Sequence, residues 1–288
     1  MMKELRRLQY PLPLISRLMG VSASGFYAWI DRPPSQRAKE EIRLETEIKA
    51  ANQRTRKTYC PERLQYDLRE HGVQVSLYKI RSIRRKLGIR CIQKRKFKVT
   101  THSDHSLPVA ENLLRQDFKA YQPNKVWVSD ITYIPTPEGW LYLAAHKDLF
   151  NNEIVGYAMG ERLSKYLVSE SLLKALGLRQ PGKGLLQHTD RGSQYCATEY
   201  RQILESRGIQ VSMSRRGNCY DNAPMESFWG ILKQELVHHR HFATRREAIC
   251  EIREYIEVFY NRQRIQAKLG FLSPVAYARK YLSCLIAA

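Results

Sequence analysis

The sequence predicts an α/β protein: a mixed five-stranded sheet flanked by helices, preceded by an all-α, helix-turn-helix-like basic region. Three observations carry that expectation. The first 124 residues have helical periodicity. From Lys125 onward the pattern changes to alternating segments rich in β-branched and aromatic residues. Three such segments in succession are then followed by helix and strand in turn, the order of a mixed sheet with helices on its faces.

The helical region divides in two. ISRLMGVSASGFYAWI, residues 15–30, reads as two short helices around a tight turn, with Gly20 as the breaker and Ser22 as the cap of the second. This helix-turn-helix-like segment is assigned to 1–36 and ends in the stiff DRPPSQR. A basic helical domain follows over 37–100. Its helices are expected from about Arg37 to Gln53, from Pro61 to Gly72 and from Ser76 to Gly88, the last with Leu77, Ile80, Ile83 and Leu87 along one side. Residues 101–124 read as a polar linker. Over 125–288 the strands are VWVSDITYI, WLYLAAHKDL, EIVGYAMG, LLQHTD and IQVSMS, with helices from about Lys165 to Leu178, from Thr198 to Gly208 and from Ala223, and a helical tail.

Charge narrows the function. The 288-residue chain has 48 Lys and Arg against 28 Asp and Glu, a formal charge of +20. Self-repulsion of that size opposes the compact state, and a polyanion relieves it. Residues 1–124 hold 26 basic side chains against 12 acidic, and residues 125–288 hold 22 against 16. Between Lys79 and Lys98, ten of twenty residues are basic and none is acidic. Arg81, Arg84, Arg85, Lys86, Lys94, Arg95 and Lys96 are therefore expected to meet nucleic-acid phosphates. The YNRQRI tail adds to that expected DNA-holding surface. No apolar run approaches a membrane span, and the N-terminus lacks the apolar core of a secretory signal, so a cytoplasmic protein is expected. The six cysteines form no C-x-x-C pair, which leaves a zinc site without support.

The chemistry rests on three carboxylates. On a helix from Ala223, Met225, Phe228, Trp229, Leu232 and Leu236 form the apolar face, while Glu226, Gly230 and Lys233 share another. Glu226 alone would be an ordinary surface acid. Asp130, however, stands inside a strand with apolar neighbours, where an acid is disfavoured. Asp190 ends a strand and enters a turn, where sites form in open sheets. The alternative for Asp130 is a hydrogen-bonded structural acid. If the three converge, hard oxygen ligands with open positions suit Mg²⁺, and a pair of such ions serves phosphodiester chemistry. Asp148 and Asp221 read as turn and cap residues.

Asp130 and Asp190 are separated by 59 residues, Asp190 and Glu226 by 35, and Lys233 stands seven after Glu226. With WVSDITYI, EGWLYLA, HTDRGSQY, SMSRRGNCYDNA and ESFWGILKQE, this closely resembles the second-reading-frame transposases of bacterial insertion sequences in the family numbered three. The resemblance spans nearly the whole chain. It implies a ribonuclease-H-like, retroviral-integrase-like core over 125–288 with a metal triad of Asp130, Asp190 and Glu226. It also implies a cofactor of Mg²⁺, replaceable by Mn²⁺ and acting as two ions. The implied activity is transposition: cleavage that frees a 3′-OH at the element's end, then strand transfer. Lys233 would contact DNA, while Asn218, Tyr220, Asp221 and Asn222 would shape the loop before the helix, with Asn218 and Asn222 as candidate DNA contacts. The implied partners are the element's terminal inverted repeats, target DNA, a first-frame product by fusion or association, and further copies of the chain on DNA. Two other readings stay open on the residues: a metal nuclease that cuts without joining, and a DNA-binding regulator.

Overall fold

The structure, a computed structural model, describes residues 2–91, 109–216 and 218–286. The basic stretch with Lys94, Arg95 and Lys96 lies outside the described residues.

Capping serines set the helical region. Helices α1 (Met2–Arg7), α2 (Leu12–Met19) and α3 (Ala23–Ile30) come first. Gly20 ends α2 in the left-handed region, φ 62°, and the Ser22 side chain accepts from the Gly25 N–H to start α3. Ser35 and Ser76 cap α4 (Gln36–Arg54) and α6 (Leu77–Lys86) in the same way, and α5 (Pro61–Glu70) starts on its proline. The apolar faces of α4, α5 and α6 enclose Ile48, Leu64, Leu68, Ile80 and Ile83. Two residues from the far end of the chain complete this small core. Ile265 is buried in it, and Phe271 stacks on Tyr66 with ring centroids 4.0 Å apart.

The sheet runs β3-β2-β1-β4-β5. Strands β1 (Val126–Thr136), β2 (Gly139–Asp148) and β3 (Ile154–Gly160) form an antiparallel meander, and β4 (Leu186–Thr189) and β5 (Gln210–Met213) add in parallel on the other side of β1. This is the ribonuclease-H-like arrangement. The crossover helices α7 (Lys165–Arg179) and α8 (Thr198–Ser206) cover one face, packing Leu172, Tyr200 and Leu204 with Trp127 of β1. Gly156 lets β3 lie against α7, since a Cβ there would stand 2.5 Å from the Ala175 Cβ. The opposite face is covered by α9 (Ala223–Glu235), α10 (Arg245–Glu254) and the π-helical run Tyr255–Gln263, which together bury Phe228, Trp229, Tyr255 and Phe259 against Val128. Helix α11 (Pro274–Ile286) ends the described chain. Alternation along β1 thus sends Trp127 to one core and Val128 to the other, and residue 130 follows Val128 toward α9.

The buried polar residues of HKD, residues 146–148, have separate roles. Asp148 accepts from the N–H groups of Asn124 and Phe150, a turn role as expected. His146 meets Gln187 and Ser171 inside the sheet. Burial pushes its pKa down to about 4. Because the folded value lies below that of the unfolded chain, His146 contributes stability that is present above about pH 6.5 and lost as pH falls toward 4. Urea titrations at pH 7 and pH 4.5 are expected to show about 2–3 kcal/mol of loss from this group. His146→Gln should flatten that fall; an unchanged pH slope in the variant would refute the assignment. Among the described residues, no helix is long and apolar enough to cross a membrane.

Candidate active site

Pairing brings the first two carboxylates together. Strand β1 runs parallel to β4 with Val126 opposite Leu186 and Val128 opposite His188. Carried past the end of β4, that register directs Asp190 toward Asp130, and the Asp130 carboxyl feels the Asp190 charge. Burial pushes the Asp130 carboxyl well above the usual carboxylate range, and Asp190 and then Glu226 push it further. Asp130 Oδ1 accepts from the Ile131 N–H at 2.8 Å, and Oδ2 accepts from the Trp229 indole N–H at 3.0 Å. Asp190 Oδ1 accepts from the Gly192 N–H at 2.9 Å. A Cβ at Gly192 would stand 3.0 Å from that oxygen, so the lack of a side chain there leaves room for the tight DRG turn.

Glu226 arrives on α9. The head of that helix is fixed by three contacts to the sheet: Asn222 Nδ2 donates to the Ser129 carbonyl at 3.0 Å, Lys147 Nζ donates to the Pro224 carbonyl at 3.2 Å, and Trp229 reaches Asp130. Glu226 lies one turn before Trp229 on the same side, exposed to solvent. Partial desolvation raises its carboxyl. Lys233, one turn beyond Trp229, is half-buried; desolvation lowers its ammonium and Asp130 raises it. Its Nζ sits 5.0 Å over the Tyr133 ring.

Hard carboxylate oxygens near one another suit a divalent cation. Among the described residues, though, no three acids, histidines or cysteines are gathered tightly enough to make a closed metal cage. The arrangement is an open one: two strand carboxylates held in place and a third on an exposed side chain.

Several of the expected DNA contacts already have partners within the chain. Arg84 is 6% exposed and its guanidinium donates to the Tyr59 carbonyl, so it is part of the helical core. Lys86 pairs with Glu41 and Glu45, and Arg81 with Glu62. Acids from α4 and α5 are thus interleaved with a face that reads as purely basic along the chain. Arg85 is exposed. Asn222 is buried and holds the helix to β1, while Asn218 caps the short turn before it by accepting from the Tyr220 N–H. In the tail, Arg264 is buried against Glu235.

Sequence reasoning missed four groups. Trp229 counted only as core, although a buried indole N–H needs an acceptor, and that signal was available. Lys147, a lysine in an apolar strand, is pushed down to about 7 by burial, with Lys268 and Arg264 adding to the shift. The third is the full burial of Asp221, expected only as a cap: it accepts from Arg215 through backbone and guanidinium, and from Asn112 and Gln116. Arg215 holds its carboxyl far below the usual range. The fourth is that donor pair itself, Asn112 and Gln116. They come from the segment read as linker, so that segment is bound to the loop that leads into α9.

Trp229→Phe tests the first of these. It keeps a ring in the core and removes the hydrogen bond to Asp130. Cleavage of end-labelled duplex is expected to slow roughly 10- to 100-fold, as for other groups that orient a ligating side chain. Circular dichroism should show the fold retained, and wild-type rates in the variant would refute the role.

Profiles described as an integrase core domain match residues 120–219 and again 226–282, and one described as an HTH-like domain matches 38–97. With the fold, they define a polynucleotidyl transferase of the integrase type. The transposase InsF for insertion sequence IS3A of Escherichia coli (strain K12) is 36% identical over 97% of this chain and 98% of its own length. The insertion element IS600 uncharacterized 31 kDa protein of Shigella sonnei is 55% identical over 92% of this chain and 97% of its own. The chain belongs to the IS3 family of insertion-sequence transposases. Among solved structures, the HTLV-2 integrase catalytic core domain in complex with magnesium is similar at 16% identity, with a TM-score of 0.41, over 54% of this chain and 97% of that one.

Proposed function

We propose that Asp130, Asp190 and Glu226 are the catalytic triad of this transposase, and that they hold divalent metal, Mg²⁺ or Mn²⁺, most simply as two ions. The observation that carries the reading is the β1–β4 register combined with the Trp229–Asp130 hydrogen bond. The reading is supported by that register, which carries Asp190 toward Asp130, and by that hydrogen bond, which ties Asp130 to a residue one helical turn from Glu226. Bound metal would activate the attacking oxygen and stabilise the leaving one.

The reaction has two steps of one kind. Water attacks the phosphorus at the element's end, the P–O3′ bond breaks, and a 3′-OH is left on the element. That 3′-OH then attacks a target phosphodiester. A new P–O bond forms, and the target's own 3′-oxygen leaves with a proton. The residues of the chain hold the geometry. Trp229 and the Ile131 N–H orient Asp130, the Gly192 N–H orients Asp190, and Asn222 with Lys147 anchors the head of α9. Lys233 supplies a positive charge for the DNA beside the triad, and Arg81, Arg85, Lys86 and Asn218 are further candidate contacts. Residues 38–97 would bind the terminal repeats, with a first-frame product and a second copy of the chain completing a complex that holds two ends.

The test is an assay of nicking and strand joining on duplexes carrying the element's ends, with Mg²⁺ or EDTA. Joined products that need metal support the reading. Cutting without joining would instead support a nuclease, and metal-independent binding without cleavage a regulator.

A further inference from the structure

Asp221 carries a charge that Arg215 alone would balance. The guanidinium donates to it at 3.0 and 2.9 Å, and the Arg215 N–H at 2.8 Å. Two neutral amides are added from far upstream, 109 and 105 residues earlier. Asn112 Nδ2 donates to Oδ2 at 2.9 Å, and Gln116 Nε2 donates to Oδ1 at 2.7 Å. Backbone strain accompanies these contacts. Arg115 and Gln116 stand at φ 48° and 63°, in the left-handed region that residues with a side chain avoid. Gln116 is exposed, so burial does not impose that conformation. Asn112 Oδ1 accepts from the Arg115 N–H at 2.9 Å, so one side chain both closes the strained turn and bonds Asp221. Strain of this kind persists where surrounding contacts fix it, and it gathers at functional positions.

The same segment is tied to both sides of the site. Leu113 and Leu114 donate their N–H groups to Ser212 Oγ at 2.9 and 3.2 Å. Ser212 Oγ also meets His188 Nδ1 at 2.8 Å, and His188 stands two residues before Asp190 on β4. Leu114 is buried in the core that holds Met225 and Phe228 of α9. Asp221 lies in the short turn Cys219–Asn222, which runs directly into α9 five residues before Glu226. Its neighbour Asn222 bonds the carbonyl of Ser129, next to Asp130.

We propose that Asn112 and Gln116 are positioning residues of the reaction: through Asp221 they hold the turn into α9 and so set Glu226 against the two aspartates. This rests on the triad reading, because the placement of Glu226 matters to chemistry only if the three acids share metal. Arg215 neutralises Asp221, and the two amides fix where it sits. Mg²⁺ demands near-octahedral ligand geometry, so a carboxylate on an exposed side chain must be placed by what lies behind it. Groups behind a ligand typically change metal affinity or activity by about 10- to 100-fold.

The experiment uses the full chain and two readouts. One is the Mg²⁺ concentration that gives half-maximal cleavage of an end duplex. The other is Mn²⁺ binding without DNA, read from the free-ion electron paramagnetic resonance signal. Gln116→Gly removes the amide and relieves the left-handed turn, so a segment that only had to fold would tolerate it fully. The expected result is a thermal midpoint and a duplex affinity in EDTA close to wild type, with the Mg²⁺ requirement raised about three- to tenfold and Mn²⁺ binding weakened to match. Asn112→Asp keeps the acceptor for Arg115 but turns a like charge on Asp221, and should shift both readouts further in the same direction. Gln116→Lys restores a donor from an exposed, flexible side chain and should return both to within about twofold of wild type. Wild-type metal dependence in Gln116→Gly, a loss that Gln116→Lys does not restore, or a loss that only follows a lowered thermal midpoint would overturn the positioning role. A wild-type chain that neither binds Mn²⁺ nor cleaves counts against the triad itself, whereas wild-type metal binding matched by every variant counts against the positioning role alone.

Discussion

Glu226→Gln is expected to lower end cleavage and strand joining by roughly 10³-fold or more, a loss of ~4 kcal/mol of transition-state stabilisation. The change removes a charge and leaves the shape of an exposed side chain at the start of α9. The helix is anchored elsewhere, by Asn222, Lys147 and Trp229, so thermal stability and DNA binding should stay close to wild type. The useful readout is this dissociation between folding and chemistry. Gel assays of a 3′-labelled duplex, run beside Asp130→Asn and Asp190→Asn, would measure it. A Glu226→Gln protein that cleaves at wild-type rates would remove the glutamate from the proposed triad and leave only the two aspartates.

The largest expected effect on stability lies at the other end of the same helix. Glu235 accepts from Arg264 Nε at 3.1 and 2.9 Å and from Nη2 at 2.8 Å, and from the Tyr255 hydroxyl at 2.7 Å. Their side chains are only 6% and 4% exposed. Glu235→Ala strands a buried guanidinium and a buried hydroxyl, and is expected to cost about 3–5 kcal/mol in urea unfolding. The double change Glu235→Leu with Arg264→Met should recover most of that, because removing both charges also removes the desolvation cost. A single-mutant loss below about 1 kcal/mol would mean that solvent reaches the pair after all.

Much of this molecule is legible in its sequence, for local reasons. The capping serines at 22, 35 and 76 start their helices where the sequence places them, because a cap acts across three residues. The apolar face of α9 is likewise set by a short period, and Met225, Phe228, Trp229 and Leu232 are all buried. Asp130 in a strand and Asp190 at a strand end are legible as acids in telling positions, Glu226 reads as an ordinary surface acid, and the resemblance supplies the grouping. What brings the first two together is the pairing of β1 with β4, a contact across some sixty residues that no local pattern encodes. Charge was legible and partners were not. Arg84 reads as surface in a basic run yet folds inward onto the Tyr59 carbonyl, and the YNRQRI arginine at 264 serves Glu235. In each case the deciding partner lies far along the chain, so the sequence shows a cation without showing what satisfies it.

The small core of α4, α5 and α6 is sealed by Ile265 and flanked by Phe271, while the Tyr59 hydroxyl accepts from the Ile265 N–H at 2.8 Å and donates to the Gln263 carbonyl at 3.3 Å. These helices are made early and completed by residues made late. On a ribosome, this basic helical unit therefore waits for the later segment to arrive before its interior is closed. Synthesis order and assembly order run in opposite directions here. A chain whose translation stops short of Ile265 carries a helical unit with an open interior, which couples the integrity of the basic region to synthesis past the catalytic sheet.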